Sequence, residues 1–363
     1  MRVLIVKVSS LGDVIHTLPA VTEAKKANRR LQFDWVVEEN FVEVPSWHPA
    51  VERVIPVAFR RWRKNVTQAL RSGEFRAFRN DLQSTHYDLI IDAQGLIKSG
   101  FISRLSRGLT VGLSNSTIKE PLATLFYNKV YSVPRDEHAV QRVRELFSRA
   151  LNFPLEPATP EHVDYGLDLA RLGVDRRDAD SDTLLFLHGT TWQTKHWPDP
   201  YWRELARLAT KRGYRVTLPW GSDAERRRAE AIVEGINGAT VLMRQTLTGM
   251  ARQIATASGV VAVDTGLGHL AAALGTPTVS LYGPTNPGLA GTFGRNQRHL
   301  VSTFPCAPCM SKKCLYDGPV VSSETAEGPF AVQPPCFHLL PPELVLNSLE
   351  QLSGRHVRSI ALP

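Results

Sequence analysis

The residues of this chain best equipped for chemistry are polar groups that interrupt short aliphatic runs. From Val260 to Pro287 it reads VVAVDTGLGHLAAALGTPTVSLYGPTNP. A β-branched run halts at Asp264, Thr265 and Gly266, and a small-residue helical pattern containing His269 starts at once, so the spacing predicts strand, tight turn and helix. Such a turn leaves the N–H groups of Thr265, Gly266 and Leu267 without intrahelical partners, and the helix dipole adds roughly half a positive charge there. An anion is the ligand this suits. Thr190, Thr191 and Lys195 follow a second aliphatic run, and Glu225 follows a turn at Trp220. Hydroxyls, one lysine and helix-start amides make a diphosphate site without a metal, and Glu225 suits the hydroxyls of a ribose. Each has a plainer use as well: Thr190 or Thr191 as a helix cap, Glu225 as a solvated helix-start carboxylate.

Two other clusters stand out. FRRWRK, Phe59 to Lys64, interleaves Arg60, Arg61, Arg63 and Lys64 with aromatics. A charge run is commonly a solvated face, yet four cations in five positions also suit an anionic partner. Cys306, Cys309 and Cys314, with Cys336 further on, have thiolate spacing able to hold Zn²⁺ or iron as a structural clip.

These groups need a scaffold that brings strand ends together. With 363 residues, 43% of them hydrophobic and 21% charged, the chain is globular and long enough for two domains. Aliphatic runs at 2–8, 33–39, 51–57 and 87–95 alternate with helical patterns at 14–27, 97–105 and 138–151, while 107–131 reads as irregular. After a proline-rich, polar connection the alternation resumes, with strands at 183–191, 215–219, 260–263 and 277–282 and helices at 201–212, 224–236 and 247–257. Pro342 to Leu352 reads as a last helix. The pattern predicts an α/β fold of two doubly wound parallel sheets with a cleft between them. The expected domains are 1–165, a linker at 166–182, a second domain at 183–340 carrying a cysteine loop at 303–336, and a helix and tail at 341–363.

The net charge of +8 favours polyanionic or phosphorylated partners. A nucleic-acid binder would leave the TT…K and DTGLGH loops unexplained, and no GxGxxG follows the first strand as a nicotinamide-dependent oxidoreductase requires. With no apolar run of membrane-spanning length and no charged-then-apolar leader, a soluble cytoplasmic protein is expected. The four cysteines do not make a secreted disulfide framework.

KVSSLGDVIHTLP (7–19), FDWVVEENF (33–41), VERVIPVAFRRWRK (51–64), IIDAQGLIKS (90–99), TTWQTKHWP (190–198), LPWGSDAE (218–225) and the 263–288 stretch together resemble the lipopolysaccharide heptosyltransferases of glycosyltransferase family 9. The likeness is greatest to the branch that adds the first heptose of the inner core. The resemblance implies a GT-B fold of two Rossmann-like domains. It also implies inverting transfer from ADP-L-glycero-β-D-manno-heptose to the Kdo of Kdo-lipid A, at the cytoplasmic face of the inner membrane, with no cofactor needed for catalysis. A related enzyme acting on the second core heptose or on an autotransporter protein is the alternative. By the same match Asp13 falls on the catalytic base. Thr190, Thr191, Lys195, Glu225, Asp264, Thr265, Gly266, Leu267 and His269 fall on the donor site, and Arg60, Arg61, Arg63 and Lys64 on the acceptor site, with Lys98 and Lys7 as weaker members of that surface. One carboxylate is enough to take the proton of an attacking hydroxyl, while Lys195 and the helix-start amides absorb the charge that grows on the leaving diphosphate. A final helix in such enzymes commonly packs back on the first domain.

Overall fold

The computed structural model describes residues 1–174 and 182–354. They form two compact units, Met1–Thr159 with Val163–Asp168, and Pro160–His162 with the chain from Leu169 onward. The Asp- and Arg-rich part of the expected linker lies outside the described residues, apart from Asp182.

The first unit is built on six parallel strands, β1 Arg2–Val6, β2 Gln32–Glu38, β3 Val51–Val57, β4 His86–Asp92, β5 Arg107–Leu113 and β6 Lys129–Tyr131, in the order β3-β2-β1-β4-β5-β6. Val3, Leu4, Ile5 and Val6 of β1 are wholly buried, because helices cover both faces of a parallel sheet and leave no wet side for alternation to serve. The second unit repeats the winding with β7 Thr183–Leu187, β8 Arg215–Leu218, β9 Ala239–Val241, β10 Gly259–Val263, β11 Thr278–Tyr282 and β12 Gln297–Val301, in the order β12-β11-β10-β7-β8-β9. In each sheet the first strand is central and the order reverses beside it. That reversal is where open α/β sheets gather ligands at the carboxyl ends of their strands.

Several expectations need correction. The stretch 107–131 is not irregular: it supplies β5, the 3₁₀ helix Pro121–Phe126 and β6. Gly108 and Gly112 had obscured the strand pattern there. A Cβ at Gly108 would stand 2.3 Å from the Tyr87 carbonyl oxygen. The helix expected over 14–27 is two, Leu11–Ile15 and Leu18–Ala27, since Pro19 is tolerated only in a first turn and so opens the second. The last helix, Pro342–Ser353, packs on the second unit's own sheet. Val345, Leu346 and Leu349 are buried there, and Leu349 comes so close to Gly259 of β10 that a Cβ would meet it at 2.9 Å. A hairpin, β13 Ser322–Thr325 with β14 Gly328–Ala331, was not foreseen either.

Candidate functional site

In the first unit Val6 of β1 lies in register with Asp92 of β4, and the two loops leaving these strands are tied into one. The Val8 and Ser9 N–H groups both donate to Gln94 Oε1 at 3.0 Å. Gln94 and Gly95 N–H donate to Asp92 Oδ1 at 2.9 and 3.0 Å, and the Tyr127 hydroxyl donates to Asp92 Oδ2 at 2.7 Å. Burial pushes the Asp92 carboxyl up, and those hydrogen bonds act against it. Because both partners of Gln94 Oε1 are donors, the amide orientation is fixed, with Nε2 turned away from the backbone.

Asp13 stands in the helix Leu11–Ile15 that follows. Its Oδ2 accepts from Ser10 N at 2.8 Å and Ser10 Oγ at 2.7 Å, while Oδ1 lies 3.8 Å from Lys7 Nζ and the side chain is 43% exposed. The carboxylate therefore caps the helix start and still presents itself to solvent. Lys7, expected on the cationic surface, is buried instead and donates to the Ala93 carbonyl at 2.8 Å. Burial lowers its pKa, and Asp13 and Asp92 pull it back up.

The basic run divides by helical geometry. The short helix Phe59–Trp62 puts Arg60 and Arg63, together with Lys98 and Ser9, around a cavity of about 610 Å³ whose wall is Phe59, Trp62, Val66 and Phe75. Arg60 lies over the Phe41 ring at 5.1 Å. Arg61 turns the other way and pairs with Glu39 at 3.0 Å and Glu74 at 2.6 Å, and Lys64 lines a smaller hollow beside it. The sequence run thus becomes two surfaces, and on one of them Arg61 is paired with carboxylates.

In the second unit Leu187 of β7 lies in register with Ala262 of β10, and the loops beyond them converge on Asp264. Lys195 Nζ is 2.7 Å from Asp264 Oδ2 and 4.4 Å above the Trp192 ring. The Thr285 hydroxyl donates to the same oxygen at 2.8 Å, Thr190 Oγ1 donates to the Asp264 carbonyl at 3.2 Å, and His269 Nε2 is 4.0 Å from Oδ1. Thr265 is the N-cap of the helix Gly266–Leu274, and Gly268 N–H, bonded to the Thr265 carbonyl at 3.0 Å, begins its hydrogen bonding. Gly266 and Leu267 thus open the helix beside the lysine. Thr191 is exposed at the rim.

Glu225 keeps the structural use weighed for it. Its Oε2 accepts from Gly221 N at 2.8 Å and Ser222 N at 3.0 Å, while Ser222 Oγ accepts from Glu225 N, a reciprocal cap. The other oxygen reaches over Gly189, where a Cβ would come within 2.7 Å of it. It remains in line with the Thr190 loop.

Cys306, Cys309 and Cys314 are exposed and Cys336 is buried. Burial first, and then the other three thiols, push Cys336 up to about 12. Among the described residues no group of three or more His, Cys, Asp or Glu stands in a metal-holding arrangement, so donor chemistry favours a metal here and the arrangement does not. Sequence reasoning missed Gln94, Trp192, Thr285 and Tyr127. Gln94 and Thr285 sit in loops already marked as strand ends, DAQG and YGPTNPG, and that position was the available signal.

Comparison with known proteins agrees with this geometry. Residues 75–319 match the model of glycosyltransferase family 9 (heptosyltransferase). The chain is 55% identical to lipopolysaccharide heptosyltransferase 1 of Pseudomonas aeruginosa over 97% of its own length and 98% of that protein's. Its backbone is similar to that of the E. coli heptosyltransferase WaaC solved with ADP, with a TM-score of 0.78 at 48% identity, covering 83% of this chain and 93% of that one. The same enzyme solved with ADP-2-deoxy-2-fluoro heptose gives a TM-score of 0.75 over the same shares at the same identity. The fold is GT-B, two Rossmann-like doubly wound domains, and the chain is a glycosyltransferase that belongs to family 9, the heptosyltransferases.

Proposed function

We propose that the chain transfers L-glycero-D-manno-heptose from ADP-heptose to the Kdo of Kdo-lipid A, the first heptose of the lipopolysaccharide inner core. The observation that carries the donor half is the Lys195–Asp264 pair at the head of the Gly266–Leu274 helix, a cation and helix-start amides placed together where a diphosphate would be held. The relatives at high identity bear the name of the first-position enzyme, and this favours it over an enzyme of the second position or one acting on protein.

In the reaction the acceptor hydroxyl attacks C1 of the heptose from the face opposite ADP. The C1–O bond to the β-phosphate breaks, the hydroxyl proton passes to Asp13, and ADP leaves with its added charge met by Lys195 and the Thr265–Leu267 amides. Such preoriented donors act on charge as it develops, and the base adds about 10²–10⁴ in rate. Arg60 and Arg63, with Lys98, would meet the acceptor's carboxylates and phosphates, and the enzyme would work at the cytoplasmic face of the inner membrane. No helix among the described residues is long and apolar enough to cross a membrane. Mass analysis of the product from ADP-heptose and acceptors bearing one or two Kdo groups tests the reading. Asp13→Asn should abolish turnover and leave ADP-heptose binding within about twofold; an active Asp13→Ala enzyme would refute Asp13 as the base.

The cysteines support a separate reading, a structural Zn²⁺ or iron clip on the 303–336 loop held by Cys306, Cys309, Cys314 and Cys336. Its support is the soft-donor chemistry and sequence spacing of the four thiols. Elemental analysis of protein purified under reducing conditions should find one metal ion per chain, and none would retire it. Turnover should persist after mild chelation, since no step of the transfer uses this loop.

A further inference from the structure

The cysteine-bearing loop brings a second lysine to the donor side of the second unit. Lys312 Nζ lies 5.4 Å from the centre of the Trp192 ring, the same ring over which Lys195 Nζ stands at 4.4 Å. Two ammoniums thus share one indole beside the turn that opens the Gly266–Leu274 helix. The ring attracts each cation through its electron-rich face, yet it carries no net charge to offset either. Lys195 has Asp264 at 2.7 Å, whereas among the described residues no carboxylate pairs with Lys312. This corner therefore holds a surplus of positive charge, and like charges kept close together favour an anion between them.

The loop is held there by both donor loops. Met310 N–H donates to the Pro284 carbonyl at 2.8 Å, next to Thr285, whose hydroxyl bonds Asp264. Thr194, buried one residue before Lys195, donates its hydroxyl to the Ser311 carbonyl at 2.7 Å. Met310 has a φ of 53°, left-handed backbone that a residue with a side chain keeps only where its surroundings hold it. Ser311 Oγ accepts from Lys313 N at 3.3 Å and donates to the Lys313 carbonyl at 2.7 Å, closing the chain around Lys312.

We infer that Lys312 is a donor-binding residue, meeting the diphosphate of the nucleotide sugar together with Lys195. The inference rests on the reading that ADP-heptose is held at the Lys195–Asp264 pair. Lys312 acts in binding the donor and enters no step of the transfer itself, so its loss falls mainly on KM. Calorimetric titration with ADP tests it. Lys312→Ala should weaken ADP about tenfold, the usual worth of a charge-assisted hydrogen bond, and raise the donor KM by a similar factor. Lys312→Arg should restore most of the affinity. Lys313→Ala removes the same charge from the next position of the loop and should stay within about twofold of wild type. Unchanged ADP affinity in Lys312→Ala with a lower Tm would make the Trp192 contact purely structural and overturn the inference. So would equal losses in Lys312→Ala and Lys313→Ala, which would reduce the effect to net charge. ADP binding lost in Lys195→Ala but untouched in Lys312→Ala would overturn it while leaving the donor reading intact. A wild-type chain that fails to bind ADP would bring down the donor reading and this inference with it.

Discussion

Lys195 and Asp264 form a 2.7 Å ion pair, largely shielded from solvent, beside the opening turn of the Gly266–Leu274 helix. A lysine expected as a lone cation for a diphosphate thus has a resident carboxylate partner. An ammonium has three donors, so the pair aims the lysine while leaving N–H groups for a phosphate oxygen. Lys195→Ala should lower kcat by about 10²–10³, the usual cost of removing a preoriented donor to developing charge. Asp264→Asn keeps the shape and loosens the aim, so steady-state kinetics should show a raised donor KM with a smaller change in kcat. Equal losses in both variants would mean that the aspartate contributes to the chemistry and not only to positioning.

Gln94 joins the two loops that carry the proposed base. Its Oε1 receives the Val8 and Ser9 N–H groups, and the backbone they belong to leads directly to Asp13. Removing it leaves two backbone donors unmatched, typically about 1–3 kcal/mol when they are shielded from water. Gln94→Ala should lower kcat about tenfold or more with donor binding unchanged, and Gln94→Glu, which keeps an acceptor in place, should restore much of the loss. A uniform fall in expression or Tm with normal kcat would make its role purely structural.

The split of the basic run separates variants that sequence alone would treat alike. Arg60 and Arg63 share the cavity with Lys98, whereas Arg61 is held by Glu39 and Glu74, and their hydrogen bonds raise its pKa. Arg60→Ala and Arg63→Ala should each raise the acceptor KM and leave the donor KM unchanged. Arg61→Ala should change neither KM beyond about twofold, and its effect should appear as a lower Tm.

Much of this was legible in the sequence because parallel strands covered on both faces must be aliphatic and must end in turns. β3 and the helix Ile97–Leu105 coincide with their expected bounds, and Asp264, Lys195, Thr190 and His269 do meet. What escaped depended on partners remote in sequence. Nothing in VKVSS says that Lys7 will be buried against Ala93 rather than exposed, because its burial is decided by a loop 86 residues away. The run RRWRK does not show that a four-residue helix will turn alternate cations to opposite sides, or that Glu39 and Glu74 will be waiting for one of them. Glu225 had two uses at its position, and the local one, capping Ser222, claims Oε2.

His188, at the end of β7, sets an acid limit on the second unit. It is buried, its Nε2 donates to the Pro219 carbonyl at 3.0 Å, and Nδ1 has no hydrogen-bond partner. Burial, and then the Arg228 guanidinium, lower its pKa from 6.5 to about 4. With the folded value below the unfolded one, the unfolded chain binds the extra proton first. Stability is then unaffected above about pH 6.5, falls as pH drops from there towards 4, and stops falling from this source below it. A difference of that size corresponds to roughly 3 kcal/mol. Denaturant unfolding of the wild type should show this loss, with a slope approaching about 1.4 kcal/mol per pH unit. His188→Gln, which keeps a donor for Pro219 and cannot titrate, should flatten the curve across that window, and an unchanged slope would place the acid sensitivity in other groups.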